Sequence, residues 1–252
     1  MKLTAEHISK TIKKKVILDD IDLSLESGNV YGFVGRNGCG KTMLFRALSG
    51  LMHIDSGKIT ADNKTLHKDM NILESLGLII ENAGLYNEFT GFKNLKILAD
   101  IKKIISDNEI RQALSDVGLD PDDKRTVRKY SLGMKQRLMI AQALMERPDI
   151  IMLDEPTNAL DESGVDLVRK LILREKERGA LILLASHNKE DISILADKVF
   201  NMENGKIVSK PSAIVYLKNQ MGKDESKRFE KWMKKVYDEN CELTFIFENK
   251  EQ

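Results

Sequence analysis

Cysteine is nearly missing from this chain of 252 residues, with only Cys39 and Cys241 present. That excludes a disulfide-built scaffold and fits a reducing compartment such as the cytosol. An excess of one charge is missing too: 40 Lys and Arg stand against 39 Asp and Glu, a net charge of +1. Such a surface has no general attraction for nucleic acid or anionic lipid, so no nucleic-acid partner is expected. Long apolar runs are absent as well. Stretches such as "ALILLA" at 180–185 fall well short of the roughly 20 residues that span a bilayer. The opening "MKLTAEHISK" has no apolar core of a secretory signal. Any membrane role must therefore pass through another polypeptide. What is present is ordinary globular usage, 42% hydrophobic and 31% charged, enough for one large domain or two small ones.

Against that background "GRNGCGKT" at 35–42 stands out, directly after the apolar run Val30-Tyr31-Gly32-Phe33-Val34. Gly35, Gly38 and Gly40 permit backbone conformations that side chains forbid. The N–H groups from Gly35 through Arg36, Asn37, Gly38, Cys39 and Gly40 can therefore turn inward around a phosphate, at the positive end of a following helix. Lys41 then reaches the outer phosphates of a nucleotide such as ATP, and the Thr42 hydroxyl can ligate Mg²⁺. The spacing matches G-x-x-x-x-G-K-T at every fixed position.

A second apolar run, "IIMLDEP", delivers Asp154 and Glu155 to its carboxyl end, where parallel sheets bind ligands. Asp154 is expected to hold Mg²⁺ through its water shell. Glu155 is placed to polarise a water in line with the γ-phosphate, as general base. His187 ends a third run, "LILLASH", and is expected to emerge on the same sheet edge, where an imidazole could contact the γ-phosphate and position the water.

The segments alternate in a readable order. Residues 2–34 carry short strand-like runs, "VILDDIDLSL" among them, which predict an antiparallel patch. "MLFRALSGL" spaces Leu44, Phe45, Leu48 and Leu51 as one helix face closed by Gly50. "GKITADNKTL" reads as one strand, and 84–149 as a mostly helical insert. Residues 150–210 return to strand–helix alternation, which implies a parallel sheet covered on both faces. The expected fold class is α/β: a P-loop NTPase core with a mostly parallel sheet, an N-terminal antiparallel β-subdomain and an inserted helical subdomain. One domain is expected over 2–210, with 211–252 as a C-terminal extension. That extension holds the charged helical stretch "DESKRFEKWMKKVYDE", where Phe229 and Trp232 read as packing residues, and the short strand "CELTFIFE".

"YSLGMKQRLMIAQALMERPDIIMLDEPTNALD", Tyr130 to Asp161, together with 35–42 and His187, resembles the nucleotide-binding subunit of ATP-binding cassette (ABC) transporters. By its own chemistry Ser131 can cap a helix whose buried face includes Met134, Leu138, Ala141 and Met145. The resemblance implies more: Ser131 and Gly133 face the γ-phosphate of ATP held by a second copy, so that two subunits close head to tail around two nucleotides. It also implies ATP hydrolysis that drives a separate transmembrane permease subunit, with the chain peripheral on the inner face of the cell membrane.

The sequence departs from the family pattern in three places. Leu132 and Met134 stand where the usual signature has Gly and Gln, a variant similar to the subgroup of bacitracin and lantibiotic exporters. Glu81 stands where the family has a glutamine; it could ligate Mg²⁺ but when ionised cannot donate a hydrogen bond. Ile12 falls where an adenine-stacking tyrosine is usual, leaving apolar contact, with Val16 as a second contributor. Leu85, Tyr86 and Phe89 are candidates for docking a partner helix or for the core. The competing reading is a non-transporting ABC ATPase that switches a soluble complex.

Overall fold

The computed structural model describes residues 1–80, 84–208, 212–216 and 242–246. Strands β1 (Lys2–Ile12) and β2 (Lys15–Glu26) form an antiparallel hairpin in which Ile12 pairs with Lys15. The intervening Lys13 and Lys14 both take positive φ, 48° and 68°, which is what a two-residue turn between right-twisted strands requires. β4 (Ser56–Ala61) pairs with the other side of β1, and β5 (Lys64–Thr65) completes a sheet of order β2-β1-β4-β5. The segment expected to be a single strand at 57–66 is thus a hairpin. The chain reverses at Asp62 (φ 49°), whose carboxylate accepts from the Lys2 N–H at 2.8 Å.

The second sheet is built around β3 (Val30–Val34). Its order is β12-β11-β9-β3-β8-β7-β6, using β6 (Leu76–Ile79), β7 (Ile150–Asp154), β8 (Leu181–Ala185) and β9 (Lys198–Glu203). The pairs from β9 through β3, β8 and β7 to β6 are all parallel. The antiparallel β10 (Lys206–Ile207) adds to β9. β11 (Ser212–Tyr216) pairs antiparallel with β9, and β12 (Glu242–Ile246) parallel with β11. The charged stretch at 224–239, with Phe229 and Trp232, lies outside the described residues.

Near-continuous apolar strands follow from burial on both faces. Ile151, Leu153, Ile182 and Leu184 point into a core shared with helices α4 (Leu132–Leu144) and α5 (Glu162–Glu177). The alternate residues Ile150, Met152, Leu181 and Leu183 point the other way, toward α1 (Lys41–Ser49) and the antiparallel sheet. Phe33 anchors that side, 5.5 Å edge-on to Phe45 and 5.2 Å stacked on Phe200. Leu51 departs from its expected place. Gly50, at φ 89°, ends α1, so Leu51 lies past the helix and is 57% exposed.

Between the strands β6 and β7 run α2 (Gly91–Lys102), capped by Thr90, and α3 (Asp107–Asp116), whose Ser106 and Glu109 form a reciprocal capping box. α4 follows, and α6 (Lys189–Leu195) follows β8. Among the described residues no helix is long and apolar enough to cross a membrane.

Candidate nucleotide site

The carboxyl ends of β3, β7 and β8 meet at one edge of the parallel sheet, and there the expected residues converge. Between β3 and α1 the loop 35–40 is held by backbone chemistry. Gly35, at φ 154°, passes so close to β9 that a Cβ would lie 2.3 Å from the Met202 carbonyl oxygen, so no other residue fits there. Gly40 (φ 115°) caps α1, and a Cβ there would meet the Ile17 carbonyl at 3.0 Å. The Gly205 N–H pins the loop from behind, donating to the Cys39 carbonyl at 2.9 Å. The Lys41 ammonium is folded over the loop, donating to the Gly35 carbonyl at 2.7 Å.

Register brings the acids alongside. β7 and β8 pair so that Asp154 faces Ala185, and Thr42 Oγ1 donates to Asp154 Oδ2 at 2.5 Å. Two hard oxygen donors, one from the first turn of α1 and one from the end of β7, thus touch, a donor set that suits Mg²⁺. Glu155 has left-handed backbone (φ 53°), rare for a residue with a side chain. Its carboxylate turns toward the loop after β8, accepting from the His187 N–H at 3.0 Å and lying 2.8 Å from His187 Nδ1.

A cavity of about 720 Å³ opens in front of these groups. Asn37, Gly38, Gly40, Lys41, Thr42 and Met43 form its floor; Asp154, Glu155, Asn158 and Ala159 form one wall, and Leu132, Gln136 and Met139 of α4 another. The contribution from β2 is Ile17. Ile12 and Val16, the expected aliphatic contacts, are 37% and 50% exposed and do not line it.

Ser131 caps α4, accepting from the Met134 N–H at 3.1 Å. Leu138, Ala141 and Met145 are buried as expected, while Met134 is half-buried. Leu132 projects from the same helix end, 70% exposed. Gly133 passes so close to the 156–161 turn that a Cβ would lie 3.0 Å from the Ala159 carbonyl. Glu81 lies outside the described residues. Leu85 packs on the core, whereas Tyr86 and Phe89 are 48% and 39% exposed with ring centroids 5.9 Å apart.

Sequence reasoning missed the polar groups that hold the 155–157 turn. Gln136, 9% exposed on the buried face of α4, donates to the Pro156 carbonyl at 2.9 Å. Thr157 donates to the buried Asp191 at 2.6 Å. The only sequence signal for Gln136 was one polar residue on an apolar helical face.

With this geometry in place, comparisons with known proteins agree among themselves. Residues 18–158 match the family model described as "ABC transporter". The ABC transporter ATP-binding protein YybJ of Bacillus subtilis (strain 168), itself uncharacterized, is 51% identical over 208 residues, 82% of this chain and 95% of that protein. The bacitracin transport ATP-binding protein BcrA of Bacillus licheniformis is 40% identical over 203 residues, 80% of this chain and 66% of BcrA. Among solved structures, the dimeric bacterial ABC transporter cassette MJ0796 superposes with a TM-score of 0.74 at 20% identity, covering 82% of this chain and 97% of that one.

Proposed function

The chain belongs to the ABC transporter family as an ATP-binding subunit, and we propose that it hydrolyses ATP between two copies to drive a separate membrane-spanning partner. The observation that carries this reading is the convergence of Lys41, the Thr42–Asp154 contact and Glu155 on one cavity, with His187 paired to the Glu155 carboxylate beside it. The loop N–H groups and Lys41 receive the β- and γ-phosphates. Thr42 and Asp154 would hold Mg²⁺, which when bound neutralises charge on the phosphate oxygens. Glu155 accepts a proton from water as the water oxygen bonds to the γ-phosphorus. The bond from that phosphorus to the bridging oxygen breaks, leaving ADP and phosphate. His187 holds the Glu155 carboxylate in place and faces the γ-phosphate.

Within one copy Ser131 and Leu132 crown α4 with exposed side chains, beside an N-terminus that attracts anions. A second copy supplies the γ-phosphate they face, so each site needs both chains. Such closing and reopening is the stroke that a permease docked at Tyr86 and Phe89 would feel, with the chain peripheral on the cytoplasmic face. Likeness to BcrA supports export of a peptide antibiotic or similar compound. Phosphate release by the full chain, abolished by Lys41→Ala, tests the enzyme. Co-purification with a multi-span protein from detergent-solubilised membranes tests the partner, and recovery only in soluble complexes would refute transport.

A further inference from the structure

One buried carboxylate ties together the segments that carry Glu155 and His187. Asp191, 1% exposed, lies in the first turn of α6, just beyond the His187 loop. Its Oδ2 accepts from Thr157 Oγ1 at 2.6 Å. Its Oδ1 accepts from Arg169 Nε and Nη2 at 2.8 and 2.6 Å. Arg169 projects from α5, the helix that Asp161 caps, and also lies 3.3 Å from Glu190 and 3.7 Å from Asp166.

Left-handed backbone at Glu155 persists only where the surroundings over-determine it. Here successive residues are each fixed to a different element. The Glu155 N–H donates to the Ala185 carbonyl of β8 at 2.8 Å, the Pro156 carbonyl accepts from Gln136 of α4 at 2.9 Å, and the Thr157 hydroxyl reaches Asp191 of α6. A buried charge with its hydrogen bonds filled tolerates one geometry only, because moving any partner strands the rest.

We propose that Thr157, Asp191 and Arg169 are positioning residues for hydrolysis, locking the 155–157 turn against the His187 loop and thereby setting the Glu155–His187 contact. None of these side chains lines the nucleotide cavity. The inference rests on reading Glu155 as the group that polarises water.

Thr157→Val keeps the shape and removes the donor. Because a small misplacement of reacting groups costs up to about 100-fold, kcat should fall about 10- to 100-fold while KM for ATP stays within about twofold. Thr157→Ser should restore most of the rate. Arg169→Lys, which keeps the charge but loses the two-pronged contact, should lower kcat in the same way and guards against a Thr157→Val protein that fails to fold. The chain has 4 histidines, so ¹⁵N imidazole resonances of His187 can be assigned by His187→Gln. They should move in Thr157→Val without nucleotide. A lowered melting temperature with wild-type kcat and unmoved His187 resonances would overturn the proposal. Where Glu155→Gln is inactive, that result overturns the positioning role alone. Where Glu155→Gln also turns over normally, the hydrolytic reading of the site falls with it.

Discussion

Replacing Glu155 by glutamine separates nucleotide binding from chemistry, and the structure sets the size of both effects. The Glu155 carboxylate is 21% exposed and paired with His187 Nδ1 at 2.8 Å, with the His187 N–H donating to it at 3.0 Å. Glutamine keeps the volume and one acceptor oxygen, so the backbone N–H stays satisfied, and the imidazole can offer an acceptor nitrogen to the new amide. Exchanging charged for neutral hydrogen bonds costs about 1 kcal/mol, or roughly 3 °C in melting temperature for a chain of this size. Loss of a general base, by contrast, costs about 10²- to 10⁴-fold in rate, equivalent to about 3 to 5 kcal/mol in the barrier. The phosphate loop is untouched, so ATP affinity should stay within about threefold, a shift under 1 kcal/mol. Phosphate release under saturating ATP and Mg²⁺ measures the first effect, and calorimetric titration the second. With hydrolysis blocked, light scattering should show an ATP-dependent dimer. Hydrolysis at the wild-type rate would refute the assignment of Glu155.

Three further outcomes follow from other parts of the molecule. Gly77→Ala should lower stability by about 1 to 3 kcal/mol through overpacking, since a Cβ there would lie 2.0 Å from the Ala143 carbonyl and 2.8 Å from Pro148; an unchanged thermal melt would contradict the tight β6–α4 packing. Asp154→Asn should raise the Mg²⁺ needed for half-maximal turnover by about tenfold or more, because an anionic oxygen is removed from the set that suits the ion; an unchanged Mg²⁺ titration would count against the Thr42–Asp154 site. At α3, hydrogen bonds from the Ser106 N–H and hydroxyl hold Glu109 below its ordinary value of 4.5. A depressed carboxylate contributes stability that is fully present above its unfolded pKa and lost as pH falls through the folded one. Hydrogen exchange of α3 amides in wild type and Glu109→Gln should therefore converge as the solution is acidified below about 4.5, and a constant difference would refute the capping role.

What could be read from the sequence follows from how locally each feature is encoded. The phosphate loop is written in consecutive residues, because Gly35 and Gly40 are demanded by the immediate approach of β9 and β2. The apolar runs of β7 and β8 state their double-sided burial outright, and they place Asp154, Glu155 and His187 without any long-range knowledge. Errors arose where periodicity ran past a local signal. Leu51 continues the helical spacing of α1, but Gly50 stops the helix first. On β2 a one-residue shift exchanges faces, and so Ile17 rather than Val16 reaches the cavity. The buried polar set was hidden for a different reason. Thr157 and Asp191 are 34 residues apart, and Arg169 and Asp191 22 apart, and on their own helices both charges read as solvent-facing. Their burial is decided by tertiary packing alone, and packing brings them behind the turn that carries Glu155. The residues that line the cavity are thus announced by local patterns, whereas the buried polar residues behind them emerge only when the helices are assembled.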